Sequence, residues 1–507
     1  MSGVAIASSS QLAADVGAEI ARAGGNAVDA AIAAMIVSMT SEPGVCSLGG
    51  SGFVTIGPAD APAVTIEGYA AMPGLGVPRE LLGTNAFGIE MGYGGGMHTI
   101  IGYGSIAVPG AIAALGQASA RFGRLPWREL VMPAVEIHRR GFALPSSCRH
   151  YLQFAGEPIF GWESGSDSIF RKASGELVAA RTTVRIPGLA DTLAVIAEEG
   201  AASFYTGDLG HAIADHVSNN GGALSRRDLA EYRVQERPSL SIDLDEWRIA
   251  TSPAPAVGGA TLAAMLTLVD DVDTTGWNSK FVAQCVEIQR SVLAYRRDHL
   301  DTSDNLEAAI GRFLMQVDER SLPVSADTVH TSATDAEGTG CAITMSAGYG
   351  SGVMPPGTGC WLNNSLGEVE LNPEGLKIAE PGTRLSSNMA PTVARKKDGT
   401  VLATGSPGAD RITTAIFQVL VNYIHFGMSL TDSVAHSRAH VEHVGERFRV
   451  AMEPDLDARE VRMEQRHFDS KSMFFGGVAA TEWGPTTGFA VAADPRRQGG
   501  TAIAEAR

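Results

Sequence analysis

Between residues 10 and 22 apolar side chains recur every three or four positions, which predicts a helix with one buried face, stopped at Gly24-Gly25. Residues 26–40 continue as an almost uniformly apolar helix. Its core, "AVDAAIAAMIVSM" (Ala27 to Met39), is too short to cross a bilayer and carries Asp29, so it predicts a helix buried in protein. "SGFVTIG" and "AVTIEGY" predict short strands. From about 110 to 300 helical spacing dominates, in "AIAALGQASARFG", "WRELVMPAVEIHRRG", "LADTLAVIAEEG", "LGHAIADHVSNNGG" and "FVAQCVEIQRSVLAYRRDHLD". After residue 325 strand patterns take over: "DTVHTSATDA", "GCAITMSA", "TVARKKDGTVLATG" and "GFAVAADPRR", with helices at 411–426 and 429–436 among them. With no 20–50-residue repeat and no low-complexity linker, the chain reads as one interlocked α+β body. Residues 307–326 form its most loop-like connection.

Composition narrows the function classes. A 507-residue chain with 44% hydrophobic and 19% charged residues has the make-up of a soluble globular protein. Its net charge of −17 disfavours nucleic acid or an anionic membrane as the main partner. The five cysteines (46, 148, 285, 341, 360) form an odd set without a C-x-x-C pair, which predicts reduced, buried thiols. The opening "MSGVAIASSSQLAADVG" lacks the charged start and apolar core of a signal peptide, so a cytoplasmic protein is expected.

Candidate chemistry begins at "SADTVHTSATDAEGTGCAITMS" (Ser325 to Ser346), a hairpin with its turn at Asp335-Ala336-Glu337-Gly338. Thr328 opens its first strand. A threonine hydroxyl needs a base, and its own α-amine can serve once the bond before it is cut, because a free α-amine titrates near ~8. Such chemistry requires cleavage between Asp327 and Thr328; taken alone, the dipeptide reads as an ordinary strand start. "TGSPGADRITT" (Thr404 to Thr414) puts a glycine loop ahead of a helix, either a plain cap or a set of backbone donors for an oxyanion. Ser386 and Ser387 in "RLSSNMAPT" read as a turn or as a polar pair for substrate. His436, His440 and His443 in "HSRAHVEH" would give zinc a helical i, i+4 pair, but lack the glutamate of H-E-x-x-H; solvated side chains near a helix end are the simpler reading. His330 reads as a strand side chain.

As an ordered set these segments resemble the γ-glutamyltranspeptidase family of N-terminal-nucleophile hydrolases. The resemblance runs through "GGNAVDAAIAA", "LGGSGF", "VPGAIAAL", "LPWRELVMPAVEIHRRGF", "EEGAASFYTGDL", "GGALSRRDLAEY" and "PAPAVGGATL". It continues through "DTVHTSATDAEG", "LNN", "SSNMAPT", "GSPGADRI" and a terminal "DPRRQG". It implies a four-layer αββα sandwich with two stacked antiparallel sheets. It also implies self-cleavage between Asp327 and Thr328, giving fragments 1–327 and 328–507 that stay together as a heterodimer and could assemble further. Thr328 would then be the nucleophile, Ser346 a second hydroxyl beside it, Gly408 and Ala409 the oxyanion hole, and Ser386 and Ser387 substrate ligands. No metal or other cofactor is implied.

Departures from the family pattern bear on the substrate. Where glutathione-cleaving members carry an arginine for the substrate α-carboxylate, this chain has Tyr69 in "EGYAAMPG". Tyrosine donates one hydrogen bond and cannot form the bidentate charged pair. Gly348 replaces an asparagine expected soon after Ser346. "LNNSLGEVEL" leaves Glu368 to hold an amine, and the interval from Glu368 to Ser386 is too short for a lid. The expected activity is therefore that of a self-processing amidohydrolase or acyltransferase acting on a small amide or activated ketone other than glutathione. A true γ-glutamyltranspeptidase or glutathione hydrolase is the alternative, and an unprocessed binding homologue is the alternative of another class.

Overall fold

The computed structural model describes residues 3–93, 96–270, 272, 276–300, 303, 305–316, 328–372, 374–408, 410–444 and 447–505. Two fully antiparallel sheets form its centre. In the first, the strands run in the order Gly500–Glu505, Gly3–Ser8, Val329–Asp335, Gly340–Ser346, Ser51–Gly57, Val64–Gly68 and Gln235–Pro238. In the second the order is Gly488–Ala493, Ala479–Gly484, Val401–Gly405, Thr392–Lys396, Trp247–Thr251 and Leu240–Leu244. The strand Val329–Asp335 packs on Ala479–Gly484 and Val401–Gly405, so the sheets stack face to face. Strands from both sides of residue 328 enter both sheets.

Helices close the outer faces and complete the αββα sandwich. Ala27–Ser41, buried along its whole length, lies on the central strands of the first sheet between Gln11–Arg22 and Trp127–Arg140. Its start is fixed by a capping box, in which the Asn26 side chain accepts from Val28 and Asp29 N–H while Asp29 accepts from Asn26 N–H. Val257–Asp270 and Arg411–Leu420 cover the second sheet. The layer between the sheets is thin and partly polar: Ala342, Val393, Val401, Ala403 and Trp483 pack there. At the C-terminal end, buried Asp494 of "DPRRQG" accepts from Val478 N–H (3.0 Å) and pairs with Arg438 (2.8 Å) and Arg496 (3.1 Å).

Three expectations need correction. Residues 307–316, read as loop, lie in the helix Leu306–Gln316; residues 317–326 are outside the described residues. The stretch read as helical up to 300 contains the strands Gln235–Pro238, Leu240–Leu244 and Trp247–Thr251. Their signal was alternation in "LSIDL" followed by a tight turn, which Asp245 makes at φ 51°. The "HSRAHVEH" stretch is not helical: a helix ends at Ala435, and Ala439–Val444 is a strand. His440 is buried, because its strand packs behind the helix Arg411–Leu420. All five cysteines are buried and unpaired, as expected. Among the described residues no helix is long and apolar enough to cross a membrane, and no His, Cys, Asp and Glu cluster could hold a metal ion.

Candidate active site

Sheet register gathers the chemistry at one end of the sandwich. Val329 pairs with Met345, so one step back Thr328 stands beside Ser346. Ser346 pairs with Ser51, and continuing from the Gly52–Gly68 pair brings Tyr69 beside Ser51. Thr328, Ser346, Ser51 and Tyr69 thus form a row across four adjacent strands, spanning roughly 14 Å at about 4.8 Å per strand. Strand alternation turns the row inward, on the same face as His330 and Phe53. Thr328 is 1% and Ser346 4% exposed. The Ser346 hydroxyl accepts from Gly348 N–H at 2.9 Å. Gly348 has φ 63°, and a Cβ there would strike Asn364 Oδ1 and come within 3.1 Å of Glu368 Oε1. Glycine in place of the expected asparagine is therefore required by the local packing.

The opposite sheet supplies the glycine loop. A Cβ at Gly405 would collide with the His330 imidazole, so the loop leaves the sheet directly above the start of Thr328's strand. Gly408, at φ 133°, packs against Gly476, whose Cα would lie 2.6 Å from an added Cβ. Ser406 Oγ accepts from Gly477 N–H (3.1 Å) and donates to the Pro407 carbonyl (2.6 Å), clamping the loop. At its end, Asp410 pairs with Arg411 and lies 3.3 Å from His440 Nε2. Burial opposes ionisation of Asp410, but Arg411 and His440 outweigh it and hold the carboxyl below its ordinary range. His330 bridges Thr344 and Ser332 hydroxyls, both at 2.8 Å; burial lowers its pKa to about 3. It is a neutral packing residue, as the sequence suggested. Asp327 and Ala409 lie outside the described residues.

At the far end of the row the Tyr69 ring stacks on Phe53, with centroids 5.5 Å apart and planes 17° apart. Burial chiefly, and then the Glu368 and Glu370 carboxylates, push its phenol well above the usual range, against a hydrogen bond with Ser387. Ser387 is buried and Ser386 half-buried next to it; the Ser387 hydroxyl accepts from Met389 N–H at 3.2 Å, and its carbonyl from Gly258 N–H at 3.1 Å. Arg384 of the same segment is committed elsewhere: it pairs with buried Glu67 (2.5 Å) and lies 4.2 Å over the Tyr232 ring. Register and contacts therefore bring together Thr328, Ser346, Tyr69, Glu368 and Ser387, with Ser386 next to Ser387 in the chain and Gly408 three residues beyond Gly405 on the loop above His330.

Several residues of this region went unassigned in the sequence reading. Asn363 donates to the Gly49 and Ala107 carbonyls and accepts from Ala107 and Ser365 N–H. Asn364 accepts from Tyr349 and Gly350 N–H and donates to Thr99 and the Ile100 carbonyl. The two asparagines of "LNN" thus fix the loop that carries Gly348 and Glu368. Glu370 accepts from the Tyr349 hydroxyl, and its other oxygen is buried without a hydrogen-bond partner. Burial lifts its carboxyl to about 7, against the Tyr349 bond. Only proximity to Glu368 marked it in the sequence. A cavity of about 980 Å³ lies at the opposite end of the sheets, lined by Gly57, Trp247, Val393 and Arg395 among others. None of the row residues reaches it, so size does not identify the site here; convergent chemistry does.

A family model described as gamma-glutamyltranspeptidase matches residues 13–504. The glutathione hydrolase proenzyme of Pseudomonas aeruginosa is 29% identical over 475 residues, covering 87% of this chain and 83% of that protein. The acylase ACY 1 proenzyme of Pseudomonas sp. strain SE83 is also 29% identical, over 459 residues, covering 85% and 81%. Among solved structures, the cephalosporin acylase of Bacillus halodurans superposes with a TM-score of 0.81 at 23% identity, covering 99% of this chain and 96% of that one. At that identity the likeness speaks to the fold.

Proposed function

The chain belongs to the gamma-glutamyltranspeptidase family, and from that premise we propose that it is a self-processing amidohydrolase with Thr328 as nucleophile. The observation that carries this reading is the position of Thr328, which opens an inner strand beside Ser346 and beneath the loop from Gly405 to Gly408. In maturation the Thr328 hydroxyl attacks the Asp327 carbonyl. The peptide C–N bond breaks as an ester forms, and water cleaves that ester to leave fragments 1–327 and 328–507. The freed α-amine then takes the Thr328 hydroxyl proton as it attacks a substrate amide. Negative charge developing on the amide oxygen falls to backbone N–H groups of Gly408 and Ala409. The protonated amine hands its proton to the leaving nitrogen, and water or an acceptor amine resolves the acyl-enzyme. Ser346 supports the nucleophile; Ser386, Ser387, Tyr69 and Glu368 hold the acyl group. The fragments remain a heterodimer because each supplies strands to both sheets.

The substrate is a small amide other than glutathione. A glutamyl α-carboxylate would meet the neutral Tyr69 phenol in place of a guanidinium, and truncating such a charged pair costs about 2–5 kcal/mol. The names of two relatives favour glutathione hydrolysis as the second reading. Five buried, unpaired cysteines fit a reducing compartment, and we take the protein to be cytoplasmic. Intact mass and N-terminal sequencing of wild type beside Thr328→Ala test the proposal. A wild-type fragment beginning Thr-Val-His-Thr with an intact variant is the expected result. A wild type that remains a single chain after prolonged incubation would overturn it and favour a binding role.

A further inference from the structure

The glycine loop ends in a tight turn, closed by the Arg411 N–H, which donates to the Gly408 carbonyl at 2.9 Å. Asp410 stands in that turn, immediately before the helix Arg411–Leu420, with helical backbone angles (φ −61°, ψ −21°). A carboxylate there is drawn to the positive end of the helix, yet the Asp410 side chain makes no capping bond to it. Its two oxygens are taken elsewhere: Oδ1 by the Arg411 guanidinium, and Oδ2 by His440 Nε2 at 3.3 Å. Burial raises the Asp410 carboxyl, but Arg411 and His440 outweigh it, so the group is an anion at neutral pH. The His440 ring is itself fixed. Gln418 bonds both the N–H (3.0 Å) and the carbonyl (2.9 Å) of Ala439, and Val441 N–H donates to Gln289 at 3.1 Å. His440 Nδ1 lies 3.0 Å from the Thr414 hydroxyl, which also reaches the Arg411 carbonyl at 3.2 Å. The buried imidazole thus spans the first turn of the helix, from Asp410 to Thr414. Because a carboxylate only accepts, the proton facing Asp410 sits on Nε2.

We propose that His440 is a positioning residue for amide cleavage: its Nε2–H holds one oxygen of Asp410 away from the Gly408 N–H, leaving that donor for the substrate oxyanion. This rests on the amidohydrolase reading above and on the glycine loop as its oxyanion site. Without the imidazole donor, Asp410 Oδ2 is left short of a partner in a largely buried place, and it turns to the backbone N–H groups of its own turn. There it competes with the oxyanion for the same donors and repels it, and the exclusion of water makes that repulsion strong. The oxyanion's charge exists only as the bond is attacked, so the loss falls on the rate and not on substrate binding.

The probe is p-nitrophenyl acetate, whose small acyl group asks little of the Tyr69 end of the row; p-nitrophenol release in the first turnover is read above the Thr328→Ala background. In His440→Phe, which keeps a ring and loses the donor, the maximal rate should fall at least tenfold, with the half-saturating ester concentration changed less than twofold. His440→Gln, which keeps an N–H donor, should stay within about threefold of wild type. Adding Asp410→Asn to His440→Phe removes the displaced charge and should raise the rate of that variant at least threefold. Equal losses in His440→Phe and His440→Gln, or a double variant no faster than His440→Phe, would overturn the inference and leave the nucleophile standing. Wild type decides the matter even if His440→Phe does not fold or mature: spectra of the protein labelled with 15N at histidine should show the His440 proton on Nε2, and a bare Nε2 would overturn the inference. No release above background by a chain that begins at Thr328 would overturn the amidohydrolase reading and the inference together.

Discussion

Replacing Glu370 with glutamine should stabilise the protein at pH 8 far more than at pH 5. The carboxyl is raised from 4.5 to about 7, chiefly by burial. Between those values the folded state holds a proton that the unfolded chain has released, so stability falls as pH rises through the window. Above pH 7 the folded protein carries a buried carboxylate. The charges facing it are Asp410, which opposes ionisation, and Arg411, which favours it; the Tyr349 hydroxyl also favours the charged form. Linkage over this interval amounts to about 2.5 kcal/mol between pH 5 and pH 8. Glutamine keeps an oxygen for the Tyr349 hydroxyl and removes only the charge. With an unfolding entropy of about 2.1 cal/mol/K per residue, that difference corresponds to roughly 2 °C in Tm. Calorimetry of wild type and Glu370→Gln at both pH values reads it directly. An equal shift at the two pH values, or a loss at pH 8, would refute the assignment of a carboxylate whose burial outweighs its partners.

His330 works in the opposite sense: its folded pKa of about 3 lies below the unfolded ~6.5, so its contribution is complete above pH 6.5 and lost as pH falls toward 3. At pH 5 that loss is about 2 kcal/mol, and urea titrations of His330→Gln should show a stability profile flatter by that amount. Gly405→Ala drives a methyl into the His330 ring and displaces the loop to Gly408; self-cleavage followed by gel should slow at least tenfold, about 1.4 kcal/mol or more of barrier. Asn363→Ala strips the partners from two buried N–H groups and two carbonyls, and should cost about 3–5 kcal/mol in thermal unfolding. Asp494→Asn leaves buried Arg438 and Arg496 short of a counter-charge; a loss of about 3–5 kcal/mol or failure to accumulate soluble protein is expected.

The order of motifs made the family legible, and local periodicity made most elements legible. Ser10 and Asn26 cap helices where the pattern begins, and the hairpin turn after Asp335 falls where its residues demand it. These are local signals, set by backbone geometry within a few residues. Where tertiary packing decides, the sequence was silent or misleading. "LSIDL" became a sheet edge because the neighbouring Trp247–Thr251 strand pairs with it. His440 was drawn into the core by a helix some 25 residues earlier in the chain. Gly348 looked like a lost asparagine and proved to be a space requirement imposed by Asn364 and Glu368.

The same division holds for the site. Thr328, Ser346, Ser386, Ser387 and the glycine loop could be named from sequence because their residue types carry chemistry at recognisable intervals. That Thr328, Ser346, Ser51 and Tyr69 share a row follows only from strand register, since pairing sets Ser346 beside Ser51, far away in the chain, and so joins two local hairpins into one row. Glu370 could not be singled out from the chain at all. Its meaning comes from burial, from the Tyr349 hydroxyl and from the acids around it, and a carboxylate's energy depends on what surrounds it once water has gone.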